Sequence, residues 1–309
     1  MPSAISLSPI NRLLENRAQT LFDDGQFDEA IEAAEAGVES ARRLWTKDDA
    51  ESTANLLDAM LVEGDIRRHI GFLDTAEDIY RDVLRLGSDY SAMNRQLAFA
   101  RAGLGDIAEE RGHATDALRQ YEAAVRGLDT IGSSVGEESA RLRNNLAMLY
   151  KDDNDFQAAE EHLIAGIQML ETTVGRYTPT VATLYSNLAS IYMKVGHPEQ
   201  AKTVALMARD IRQQVLPPDH PDNIQSISNL GAILYALDDT DAATSAFAGA
   251  AQAMEGNENI DPHDYEVVVS NYIDLLHTTG ENTKAEEMAK TARIRYKELN
   301  RLRNQAKPG

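Results

Sequence analysis

The sequence predicts an all-α, right-handed superhelical solenoid of about seven helix pairs. Three observations predict it. An alanine recurs at positions 30, 76, 117, 159, 201, 243 and 285, at intervals of 46, 41, 42, 42, 42 and 42 residues. Twelve residues before each alanine stands a mostly small residue (Ala18, Gly64, Gly105, Ala147, Ala189, Gly231, with Ile273 as the exception), and seven after it another small or slight one (Gly37, Val83, Ala124, Gly166, Ala208, Ala250, Ala292). Between each pair lies a run of helix-stop and N-cap residues. A fixed period of this length is the signature of a repeat architecture.

Taken in order, the helix pairs fall at about residues 9–45, 50–87, 91–131, 138–174, 180–215, 222–256 and 264–300, one solenoid followed by a short basic tail at 301–309. We call the two helices of each pair A and B. The A-to-B turns read "DDGQF" at 23–27, "IGF" at 70–72, "RGHA" at 111–114, "DDNDF" at 152–156, "VGHPE" at 195–199, "LDDTD" at 237–241 and "TGEN" at 279–282. Antiparallel helices approach closely only where side chains are small, and larger apolar residues at helical spacing, such as Leu188, Ile191, Tyr192 and Leu206, fill the rest of the seam. Each pair leaves an apolar side that only the next pair covers, so the pairs stack.

Composition narrows the function classes. The 309 residues contain no cysteine, which removes disulfides, thiolate metal sites and a cysteine nucleophile. Neither a signal peptide nor a run of about 18 apolar residues is present, so the expectation is a cytoplasmic chain without a membrane span. A formal net charge of −20 argues against nucleic acid as a partner. "GLGDIA" at 103–108 satisfies a loose dinucleotide pattern, but it sits inside a helical segment and not after a strand. The seven histidines form no H-x-x-x-H or H-E-x-x-H arrangement. No nucleophile elbow or phosphate loop occurs. The expectation is no enzyme, no cofactor, no metal and no small-molecule substrate.

The small–alanine–small pattern resembles the tetratricopeptide repeat family over about residues 9–300. "LPPDHPDN" at 216–223, "SNLGAILY" at 228–235 and "VGRYTPTVATLYSNLASIY" at 174–192 are similar to kinesin light chains, whose repeats are 42 residues long. The first repeat begins within about ten residues of Met1, so the expectation is a chain without the heptad segment those proteins use to grip a motor. The resemblance therefore implies the bacterial kinesin light chain type: a protein–protein scaffold, cytoskeleton-associated, whose partner is a bacterial tubulin filament.

Candidate contact residues follow from the same register. Asn145, Asn187, Asn229 and Asn271 stand 42 residues apart on four A helices, with Asn16 at the matching place in the first and Val62 and Gly103 interrupting the series. An amide offers one acceptor and two donors, enough to hold an extended backbone without reading its side chains. Bridging between neighbouring helices is the structural alternative. Arg141, Lys151, Lys194 and Tyr235 share that inner wall, while Asp58, Asp65, Asp106 and Glu109 make its N-terminal part acidic. The segment 284–309 carries eight Lys or Arg against three Glu. Arg293, Lys297, Arg301 and Arg303 are its candidates for binding an acidic surface, an anionic membrane included. A solvating cap is the alternative there. A membrane adaptor and a soluble peptide-binding module stay open beside the filament scaffold.

Overall fold

The computed structural model describes residues 9–306 apart from 219, 256, 258 and 259. The tail residues 307–309, with Lys307, lie outside the described residues. The described residues are all-α, with two short 3-10 turns and no strand. The chain divides into two compact units, residues 1–149 and 150–309.

The first unit holds α1 (Pro9–Asp23), α2 (Phe27–Leu44), α3 (Ala50–Ile70), α4 (Leu73–Gly87), α5 (Asn94–Glu110) and α6 (Ala114–Asp129). It also holds most of α7 (Gly136–Asp152). Helices α1 and α2, α3 and α4, and α5 and α6 form hairpins. The second unit contains α8 (Phe156–Thr173), α9 (Pro179–Lys194), α10 (Pro198–Val215), α11 (Pro221–Ala236), α12 (Thr240–Met254), α13 (Pro262–Thr278) and α14 (Asn282–Ala306). There α9–α10, α11–α12 and α13–α14 are the hairpins. Helix α14 is the longest of them, at 25 residues, and continues through residues 301–306.

Each A-to-B turn needs one residue in the left-handed region, five positions before the anchor alanine. Gly25, Gly71, Gly112, Gly196 and Gly280 supply it, with φ from 74° to 95°. Asn154 (φ 64°) and Asp238 (φ 60°) take the same place in the other two turns, Asn and Asp being the residue types that tolerate this conformation best after glycine. The next helix starts on a cap where the sequence offers one. Asp155, Thr178 and Asp239 each accept from the backbone N–H three residues on. Between α10 and α11, buried polar ties fix the linker. Asn223 donates to the Pro217 carbonyl at 2.7 Å, and Arg212 donates to the Ser226 hydroxyl at 2.6 Å, joining α10 to α11.

All seven anchor alanines have no exposed surface. Behind them lies a volume rule. Four residues after the anchor, α4 and α6 carry Tyr80 and Tyr121, and α12 carries Phe247, each buried. The small residue facing each of them is glycine. A Cβ on Gly64 would stand 2.8 Å from the Tyr80 ring, one on Gly105 2.6 Å from the Tyr121 ring, and one on Gly231 3.2 Å from the Phe247 ring. Where the small residue is alanine, that position carries no aromatic ring: Ala34 goes with Ala18, Leu163 with Ala147 and Ala205 with Ala189.

A polar group on α1 gives this unit a pH dependence. The Glu15 carboxyl is pushed up to about 7, first by burial and then by the nearby Asp58, against the lowering effect of Arg12. One of its oxygens is buried without a hydrogen-bond partner. A carboxyl raised in the fold contributes stability that is fully present below its unfolded value, near 4.5, and lost as pH rises through about 7. Glu15→Gln should therefore gain stability relative to the wild type as pH is raised from 5 to 8. Urea midpoints of both proteins at the two pH values test this; a constant difference between them would contradict it.

Candidate interaction groove

Tyr80 and Tyr121 reach polar partners at their far ends. The Tyr80 hydroxyl donates to Asp65 Oδ1 at 2.6 Å. One repeat later, the Tyr121 hydroxyl donates to Asp106 Oδ1 at 2.6 Å and to Glu109 Oε2 at 3.0 Å. Desolvation is the largest influence on both phenols and raises them far above the ordinary tyrosine range. Desolvation also raises Asp65, against the lowering effects of the Tyr80 hydrogen bond, Arg68 and His69. Both acids directly follow the glycine that admits the ring, so each ring and its acid are set by one register.

These acids line a groove on the A helices of the first unit. One cavity, of about 460 Å³, is bounded by Asp65, Arg68, Phe99, Asp106, Glu138 and Arg141, with Gly103 and Asn145 also on its wall. A second, of about 540 Å³, adjoins it at Arg68, Asp106 and Asn145 and runs on to Glu109, Glu110 and Met148. Arg68 is the internal cation, 3.2 Å from Asp106 and 3.2 Å from Glu110. Its Nε is buried without a hydrogen-bond partner. Arg141 is exposed, and Asn145 is half-buried. The groove offers carboxylates, two guanidiniums and an amide beside apolar patches. Such a wall can bind the backbone and charged side chains of another chain.

Of the residues expected from sequence, Asn145 and Arg141 come together here with Asp65, Asp106 and Glu109. Asp58, on the same helix as Asp65, accepts from Gln96 Nε2 at 2.9 Å, and burial raises its pKa. In the second unit, Asn187 and Asn229 are half-buried and Asn271 is exposed. Asn229 accepts from Gln225 Nε2 at 2.8 Å on its own helix. Lys151 is half-buried, Lys194 exposed, and Tyr235 42% exposed. On α14, Arg293, Lys297 and Arg301 are exposed, whereas Arg303 pairs with Asp261 at 2.9 Å. Sequence reading missed Arg68, Tyr80 and Tyr121. A signal existed for the tyrosines: Gly-Asp followed by Tyr fifteen residues after the Asp occurs at 64–80 and again at 105–121.

Among the described residues, no helix is long and apolar enough to cross a membrane, and no group of three or more His, Asp or Glu could hold a metal ion.

Models of the tetratricopeptide repeat match residues 139–179 and 180–255. Residues 139–255 carry tetratricopeptide repeats. Such repeats are a scaffold for protein–protein interaction, and this repeat chain is similar to the crystal structure of BtubC (BKLC) from P. vanneervenii. The two are 25% identical, with 76% of this chain and 94% of that chain covered and a TM-score of 0.65. The signal-transduction ATPase with a tetratricopeptide repeat sensor, PH0952 from Pyrococcus horikoshii, shares the fold. It covers 93% of the repeat chain and 42% of its own at a TM-score of 0.75, with 10% identity. The clustered mitochondria protein homologs of Aspergillus clavatus and Aspergillus oryzae are each 28% identical over 100 residues. That stretch is 32% of the repeat chain and only 8% of the length of these relatives.

Proposed function

We propose that this chain is a non-catalytic scaffold that binds a bacterial tubulin filament and is cytoskeleton-associated for that reason. The observation that carries the reading is the likeness to BtubC, which extends over 94% of that chain. The 42-residue repeat and the linkers similar to kinesin light chains supply the class of partner. The groove of the first unit supports it with a contact surface: Arg141 and Asn145 are its accessible donors, and Asp65, Asp106 and Glu109 its acceptors. Asn187, Asn229 and Asn271, with Lys151, Lys194 and Tyr235, are assigned in this reading to further contacts on the A helices.

Co-pelleting with bacterial tubulin filaments tests the proposal. The wild-type chain should sediment with filaments and stay in the supernatant without them. Arg141→Ala combined with Asn145→Ala should weaken the association about tenfold. Two lost hydrogen bonds contribute roughly 0.5–1.5 kcal/mol each, and about 1.4 kcal/mol is a factor of ten. The melting temperature should stay unchanged, because neither side chain is in the core. No co-sedimentation of the wild type would overturn the filament reading. Retention by anionic liposomes in its place would move the function to the membrane adaptor, through Arg293, Lys297 and Arg301.

A further inference from the structure

Each A helix after the first buries, at least in part, the two residues eight and five positions before its small residue. Leu56 and Ala59 of α3 share a core with Val38 and Ala41 of α2. Tyr265 and Val268 of α13 share one with Phe247, Ala251 and Met254 of α12. The corresponding pairs Ser139 and Leu142, Val181 and Leu184, and Asn223 and Ser226 are all buried. Helix α1 carries Ile10 and Leu13 at these two positions, and they are 61% and 68% exposed. Two large aliphatic side chains therefore face solvent where every later A helix buries its counterparts at least in part.

A matching vacancy lies on α13 and α14. A cavity of about 220 Å³ there is lined by Glu266, Ser270, Ile273, Ala289, Ala292 and Tyr296, with Arg293 at its edge. Forty-two residues earlier stand Ile224, Ser228, Gly231, Phe247, Ala250 and Met254, all buried. There α13 supplies the cover. On the last hairpin Glu266 and Ser270 are exposed, and Tyr296 is 37% exposed. The groove is the seat for one more A helix.

We propose that α1 of a second copy of this chain occupies that seat, so that copies associate head to tail. The repeat register then brings Ile10 and Leu13 to Ala292 and Tyr296, the counterparts of Ala250 and Met254. Charge selects the same pairing. Helix α14 carries seven Lys or Arg against three Glu. The first hairpin, residues 9–44, carries eight Asp or Glu against four Arg, with the excess on α2 and the turn before it. Opposite signs favour first hairpin on last, while two α14 helices repel each other. An interface between two different surfaces leaves a free seat at one end and a free α1 at the other, so it adds copies until the rotation closes a ring or a filament grows.

Sedimentation velocity on the full chain over a range of concentrations reads the association. The average mass of the wild type should rise with concentration at low salt and fall back at 1 M salt, where charge screening acts over about 3 Å. Leu13→Glu and Tyr296→Glu should each weaken self-association at least tenfold without moving the urea midpoint, since both side chains are exposed. Mixed in equal amounts, the two variants should form a dimer and stop there, because each keeps one intact surface. Ile10→Glu and Ser270→Trp should repeat the pattern at neighbouring positions. The proposal is overturned by a wild type that stays monomeric at every concentration. It is equally overturned by a Leu13→Glu variant that associates like the wild type, or by a mixture of the two variants that gives no dimer.

Discussion

Replacing Tyr80 with alanine should cost the first unit about 3–5 kcal/mol, the range for removing a buried aromatic side chain. The ring has no exposed surface and lies between two glycines, Gly64 of its own hairpin and Gly103 of the next. Backbone on both sides is held at that separation by neighbouring helices, so the space cannot collapse and the cavity term persists. The hydroxyl adds a second loss, because Asp65 gives up its 2.6 Å donor. Tyr80→Phe isolates this part. It keeps the ring and should cost only about 1.5–3 kcal/mol, the range for a hydrogen bond to a charged group. Urea unfolding followed on the first unit measures both. A midpoint for Tyr80→Ala equal to that of the wild type would show that the ring does not fill the seam between hairpins.

Gly103→Ala should destabilise by about 1–3 kcal/mol, although alanine is the better helix former. The added Cβ would stand 2.3 Å from Tyr80 Cζ, and a buried ring between two helices has nowhere to move. In the Tyr80→Ala background the sign should reverse. With the ring gone, the same substitution partly fills the cavity and gains up to about 1 kcal/mol of helix propensity. The coupling read from the double-mutant cycle should then reach about 2 kcal/mol or more, at the upper end for residues in contact. Equal effects of Gly103→Ala in the two backgrounds would separate the glycine from the tyrosine and remove the packing argument.

The pair also explains why the asparagine series breaks at residue 103. Asn145, Asn187, Asn229 and Asn271 keep the register on later helices, but at Gly103 the preceding hairpin has already placed a tyrosine ring where a side chain would start. The "GLGDIA" stretch gains its physical reason from the same geometry. Gly103 admits Tyr80 from the hairpin before, and Gly105 admits Tyr121 from the partner helix. Both glycines of the dinucleotide-like pattern serve helix packing.

What the sequence determined by itself is what adjacent helices impose on each other. The all-α class, the anchor alanines and the seven left-handed turn positions are set by contacts within one hairpin. There a close helix approach and a sharp reversal admit few residue types, so the requirement is written at a fixed spacing. The tertiary structure alone decided which large side chain fills each gap the small residues open. Tyr80 meets Gly64, 16 positions away, and Gly103, 23 positions away in a different hairpin. It also decided how the groove's charges converge. Arg68 reaches Asp106 and Glu110 one helix pair further on, and Arg141 and Asn145 come to the same wall from a third. A period in sequence records that a position is equivalent from repeat to repeat. It does not record which neighbours that position meets, because those depend on how one hairpin's side chains fill the grooves of the next.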